Sequence, residues 1–291
     1  MNRGIAYALA AYLLWGVFPV YFKALQHVAP LQILGHRIVW SLAVCAALLL
    51  LLRRLEWLGR LRRQPRVLLW FTATSVLVAV NWLVYIWAIN SGRVIDASLG
   101  YFINPLVNVL IAAVVLRERL RPVQWLAVAI AGSGVLWLTW QAAAVPWVGL
   151  VLALTWSVYG LLRKTAALGP IEGLTLETLL LAPLAAGYLL WSSAAGSSAF
   201  AEGDTTTRLL LLAAGPVTAA PLLLFAAAAR RLPFSTLGLA QYVSPSLQLL
   251  IGVWLYHEPF AARAPGYALI WIALAVFSLE GAVRAWRSRA S

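Results

Sequence analysis

Two sets of polar side chains sit inside otherwise apolar stretches and share one spacing. Tyr101, Asn104 and Asn108 stand at i, i+3 and i+7, which places them on a single helical face. Gln241, Ser244 and Gln248 repeat that spacing 140 residues later, and Pro105 and Pro245 each follow the middle member of their set. A proline inside a helix frees the carbonyl four residues back, here those of Tyr101 and Gln241, and a kink is expected at each. Tyr242 lies beside the second set, and Asn81, Trp82 and Tyr85 add an amide and two amphipathic rings. Amides, hydroxyls and free carbonyls at membrane depth suit reversible binding of a small polar solute. They equally suit hydrogen bonds between helices, and the repetition of the stripe favours a lined cavity.

Charged groups in the apolar runs are fewer and more pointed. Arg37, preceded by His36, lies early in the run 31–52, and Glu177 is its counterpart at the 140-residue offset. With about 1.5 Å of rise per residue, the two charges are expected near opposite ends of a membrane pathway, about 10 Å apart along its normal. Asp96 is the expected partner of Arg37 on one side. Arg163 or Lys164 is the expected partner of Glu177 on the other, and Lys23 is matched to Lys164. Ion pairs so placed suit gates that form and break as two halves rock. Arg37 is alternatively a fork for a substrate carboxylate or phosphate, or an interface anchor whose head reaches the polar boundary. Glu177, the deepest carboxylate, is a candidate proton site for a coupled carrier, opposed by any cation beside it.

Catalysis is not expected. No H-E-x-x-H sequence occurs, no carboxylate pair or Asp/Glu/His cluster at ligand spacing lies in an apolar run, and His27 and His257 have no metal spacing. A G-x-x-x-x-G-K-[ST] loop for ATP is absent from the chain. Neither a metal nor a cofactor is therefore expected.

The elements that must position these groups follow from composition. Hydrophobic residues make up 63% of the chain and charged residues 11%, and mean hydropathy is +0.86, far from a soluble domain in which about a quarter of residues are charged. The net charge of +13 lies in short clusters between apolar stretches, which argues for membrane topology and against nucleic acid. Cys45 is the only cysteine, so no disulfide forms within the chain. Ten windows are long enough to cross a bilayer: 4–22, 31–52, 67–90, 97–116, 122–140, 147–163, 174–192, 208–229, 236–256 and 265–284. The first is read as a span and not as a cleaved leader. With cytoplasmic termini, every Lys and Arg outside the spans falls on the inside except Lys23, Arg93, Arg208 and Arg263, as the positive-inside rule requires.

The stretch 98–120 aligns without a gap onto 238–260, so Pro105 matches Pro245 and Glu118 matches Glu258, and the same offset pairs Pro30 with Pro170 and Asn81 with Pro221. Trp15 matches Trp156 with a slip of one residue. The reading is an all-α membrane protein of ten transmembrane helices in two inverted five-helix repeats, 1–140 and 141–291. Five spans is an odd number, so the second half is upside down, the mark of a secondary transporter working by alternating access. A passive pore and a non-transporting accessory membrane protein are the alternatives. Glu118 and Glu258 are read as interface anchors, Trp15, Trp82 and Trp156 as cavity candidates or packing, and oligomeric state is open.

The block "NWLVYIWAINSGRVIDASLGYFINPLVNVLIAAVVLRERLRPVQWLAV", with "AYLLWGVFPVYFKAL", "HRIVWS", "YGLLRK", "LET", "STLGLAQYVSP" and "LIWIAL" in the same order, resembles the RarD group of the EamA-type drug/metabolite transporters. The resemblance covers nearly the whole chain. It implies ten helices in two inverted repeats around a central cavity in a bacterial inner membrane, with amino acids or related small metabolites as the substrate class. Its motif positions favour Lys23, His36, Arg37, Asn81, Trp82, Tyr101, Asn104, Arg163, Lys164, Glu177, Gln241 and Tyr242.

Overall fold

The computed structural model describes residues 3–90, 94–141, 147–256 and 261–290, and every regular element among them is helical. In chain order these are α1 (Arg3–Gly16), α2 (Phe18–Ala24), α3 (Pro30–Leu51), α4 (Trp57–Arg63), α5 (Pro65–Asn90), α6 (Val94–Val114) and α7 (Pro122–Gln141). Then follow α8 (Trp147–Thr165), α9 (Pro170–Ala194), α10 (Ala199–Glu202), α11 (Thr205–Ala229), α12 (Phe234–Ala240), α13 (Val243–Tyr256) and α14 (Ala264–Ala290). Helices satisfy their own backbone groups, as lipid demands. Six segments among the described residues are long and apolar enough to cross a membrane: α1 with α2, α3, α5, α7, α9 and α11.

Prolines set several starts. Pro30 opens α3 and Pro170 opens α9, where the missing N–H removes a group that had no helical partner anyway. The matched prolines inside the repeats behave differently. Helix α6 runs through Pro105, whereas the corresponding stretch breaks at Gln241–Tyr242, between α12 and α13. The Gln241 carbonyl, expected to be free, accepts from the Ser244 N–H at 3.1 Å, so the turn tightens and closes over it. The first apolar window is interrupted in the same way at Val17, before Pro19. The short α4, in a stretch read as an inner loop, carries no long apolar signal.

Contacts join the two halves far more than they join neighbours in sequence. Helix α1 packs on α11 and α13, and α8 packs on α5 and α6. Helix α3 packs on α11, and α9 packs on α5. The pairs α3 with α9, α6 with α12, and α7 with α14 are also in contact. The main buried cluster draws on both halves, with Tyr12, Trp82, Tyr159, Phe225 and Phe234 among its members. Two glycines permit close crossings between the halves. A Cβ at Gly238 would lie 2.7 Å from the Asn108 Cβ, and one at Gly134 would lie 2.6 Å from the Gly266 carbonyl oxygen. The small-residue face of α7 is thus occupied, on the Gly134 side, by α14 of the same chain.

Candidate functional site

The amide stripe is a hydrogen-bonded chain between helices. Asn108 Nδ2 donates to Asn104 Oδ1 and to Gln241 Oε1, both at 3.1 Å, and Asn104 Nδ2 donates to the Ala153 carbonyl at 3.2 Å. Asn104, Asn108 and Gln241 are buried, and Asn108 Oδ1 has no partner among the described residues. Asn81 Nδ2 donates to the Leu152 carbonyl and to Thr155 Oγ1, joining α5 to α8. Gln248 Nε2 donates to the Trp15 carbonyl at 3.0 Å and more weakly to Ser244 Oγ at 3.4 Å. The Tyr242 hydroxyl donates to the Phe102 carbonyl. The structure therefore brings Asn104, Asn108 and Gln241 together across the two halves and engages most of their donors between helices. Trp15 and Trp156 meet edge to face, with ring centroids 5.2 Å apart, and both pack on Phe225.

At one end, Arg163 and Glu177 form an ion pair. The Arg163 Nη1 to Glu177 Oε1 distance is 3.6 Å and the side chains are 2% and 1% exposed. Tyr159 donates its hydroxyl to Glu177 Oε2 at 3.2 Å, and Arg163 Nη2 donates to the Pro170 carbonyl. Arg163 also lies over the Phe71 ring, 5.6 Å from its centroid. The pair is incompletely satisfied, because Arg163 Nε, Arg163 Nη1 and Glu177 Oε1 have no hydrogen-bond partner among the described residues. A buried pair with orphaned atoms contributes little net stability while its rupture is costly. The thiol of Cys45 on α3 is buried beside this pair and Thr175.

Lys164 does not share Glu177. Its Nζ donates to the Ala229 and Leu232 carbonyls at the end of α11, the placement that a helix C-terminus favours for a cation. Glu118, between α6 and α7, accepts from the Phe234 and Ser235 N–H groups and the Ser235 hydroxyl, which caps α12. Glu258 and His257 lie outside the described residues.

At the other repeat position, Arg37 is 5% exposed. Its Nε donates to Thr218 Oγ1 at 2.9 Å. The guanidinium carbon lies 4.5 Å from the centroid of Trp82 and 5.4 Å from that of Phe22, and Tyr21, Tyr85 and Tyr101 are its charge-sensing neighbours. Tyr85 and Tyr101 touch edge to face at 5.7 Å. No ion pair among the described residues includes Arg37. The side chain of Asp96, its expected partner, is outside the described residues, and Lys23 on α2 is engaged in contacts of its own. His36 points elsewhere: its Nδ1 accepts from Trp40 Nε1, and its ring lies 5.1 Å from that of Phe200. Sequence reasoning missed Thr218, which no motif marks, and also Tyr21 and Phe22, although both precede Lys23 in "AYLLWGVFPVYFKAL". It also missed Tyr159, although that residue lies one turn before Arg163 in "YGLLRK" and so shares its face.

A family model described as the EamA-like transporter family matches residues 2–140. An uncharacterized transporter of Pseudomonas aeruginosa is 46% identical over 99% of this chain and 96% of its own length. Protein RarD of Streptomyces exfoliatus is 44% identical over 99% of this chain and 92% of its own. A solved crystal structure, 22% identical, shares the fold with a TM-score of 0.69 over 95% of this chain and 97% of that one. The apolar helices and these likenesses define a multi-pass membrane transporter. Within that class, the chain belongs to the RarD group of the EamA-like transporter family.

Proposed function

We propose that the protein is a secondary transporter, an exporter or exchanger of small polar or amphipathic metabolites such as amino acids or related compounds, working by alternating access. In this reading ten helices span a bacterial inner membrane as two inverted five-helix repeats, 1–140 and 141–291, with both termini cytoplasmic. Four further elements complete those six: α6, α8, α12 with α13, and α14.

One observation carries the reading. When 140 is added to the residues of the first half, the helix contacts exchange into one another: α1 with α11 becomes α8 with α5, and α3 with α11 becomes α9 with α5. The pairs α3 with α9, α6 with α12 and α7 with α14 map onto themselves. Such an arrangement supports two equivalent packings of opposite orientation, which is what exposure to one side and then the other requires. Arg163 and Glu177 are the inner gate, with Lys164 holding the adjoining end of α11. Lys23, His36, Arg37 and Asp96 belong to the outer end. Asn81, Trp82, Tyr85, Tyr101, Asn104, Asn108, Gln241, Tyr242, Ser244 and Gln248 form the midplane between them.

Uptake into proteoliposomes of purified protein tests this, with labelled amino acids, nucleosides and organic acids on one side and unlabelled solute on the other. Saturable uptake accelerated by trans solute is expected. Flux that rises linearly with concentration and shows no trans-acceleration would replace the carrier by a pore. An imposed pH gradient, compared in wild type and Glu177→Gln, tests protons as the coupling ion.

A further inference from the structure

A guanidinium cannot lose its charge at any working pH, and burying a cation without a counter-charge is among the costliest arrangements in a membrane protein. Among the described residues no acid pairs with Arg37, which is enclosed by surfaces from α2, α3, α5, α6 and α11. Among the described residues it makes a single hydrogen bond, from Nε to Thr218, so its two terminal nitrogens have no acceptor. Aromatic faces supply partial compensation, since Trp82 and Phe22 present their electron-rich rings to the cation. They cannot occupy the fork, which is shaped for two oxygens of one carboxylate or phosphate. Tyr85 and Tyr101, whose rings meet edge to face, lie within electrostatic range of the same charge. Apolar ring surface next to an anion fork suits a solute with an aromatic or apolar body.

We propose that Arg37, backed by Thr218 and walled by Phe22, Trp82, Tyr85 and Tyr101, is the anion subsite of the transport pathway, and that the substrate is an organic carboxylate or phosphate with an apolar, preferably aromatic body. The inference rests on the transporter reading, because it names the substrate class of the same pathway. The anion arrives as a free solute and not as a lipid headgroup, since Arg37 is a buried residue enclosed by helices.

Equilibrium binding to the purified full chain tests the subsite without requiring flux. The probes are phenylacetate, its neutral analogue phenylacetamide, the cation phenethylamine and phenyl phosphate, titrated calorimetrically into nanodiscs of phosphatidylcholine. The anions are expected to bind at least about tenfold more tightly than the amide or the amine, the fold-change a charge-assisted contact carries. Arg37→Gln is expected to erase that preference, and Arg37→Lys to keep only part of it because the fork is lost. Thr218→Val and Tyr101→Phe, milder changes that keep the cation, are expected to weaken phenylacetate by a few fold each. They remain informative where the Arg37 variants do not fold.

Equal affinity for acid and amide, or a preference that survives Arg37→Gln, overturns the proposal. So does displacement of phenylacetate by phosphatidylglycerol added to the nanodiscs, which would make the occupant a lipid. Asp96→Asn should leave or raise anion affinity, and loss of anion binding in that variant would make Asp96 part of the site and overturn the assignment to Arg37. Anion binding without saturable flux would sink the transporter reading and leave the subsite standing. Saturable transport of neutral or cationic solutes, indifferent to Arg37, would do the reverse.

Discussion

Arg37 and Glu177 occupy corresponding places on helices that pack against each other, α3 and α9, yet the protein treats their charges differently. Glu177 faces a cation, Arg163, with a tyrosine hydroxyl on its other oxygen. Arg37 faces rings and a threonine. One position forms an ion pair within the protein, and the other has no acidic partner among the described residues.

The contrast breaks most sharply if that ion pair is halved. Glu177→Gln leaves Arg163 buried without its acid and is expected to cost about 3 kcal/mol, read as a lower unfolding midpoint in micelles titrated with SDS. The double change Arg163→Met with Glu177→Leu should recover most of that loss, and a double variant as weak as the single would show that the pair is not the cause. Packing at the crossing between the halves comes next. Gly238→Ala drives a methyl into Asn108, so a loss of about 1–3 kcal/mol is expected in the same assay. Arg37→Gln should shift stability by no more than about 1 kcal/mol, because relief of a buried cation without an acidic partner among the described residues offsets one hydrogen bond and the ring contacts. A loss as large as that of Glu177→Gln would place a hidden acid beside Arg37 and erase the comparison. Glu118→Ala removes the cap of α12 and should cost about 1 kcal/mol.

The smallest effect lies outside the membrane. Asp204 caps α11, the helix that carries Thr218, and the Thr207 N–H and hydroxyl hold its carboxyl below the usual value. A carboxylate with a lowered folded value stabilises above its ordinary range and loses that contribution as pH falls through the folded value. The melting temperatures of wild type and Asp204→Ala should therefore converge in acid and differ at neutral pH.

How much of this was legible can be judged from particular residues. Pro30 and Pro170 sit at the first positions of α3 and α9, as their place ahead of apolar runs suggests. The face shared by Tyr101, Asn104 and Asn108 was also readable, because helical spacing fixes which side chains lie together. What lies opposite was not, because spacing says nothing about neighbours. The amides of Asn81 and Asn108 proved to reach across to other helices. Arg163 and Lys164 are adjacent, so both were open as partners of Glu177, and their roughly 100° separation around the helix directs one to the acid and the other to the carbonyls of α11. The carbonyl that Pro245 was expected to free is met by the Ser244 N–H, a local turn that the proline alone does not announce.

Cys45 now acquires a use. It is the only thiol in the chain, it is fully covered, and it stands beside Arg163 and Glu177. Reaction with N-ethylmaleimide can proceed only during the intervals in which that region loosens, so alkylation needs no engineered label and acts as a clock for the Arg163–Glu177 joint. A solute that draws the molecule toward one face should speed or slow that clock, which makes the native protein its own assay for unknown substrates.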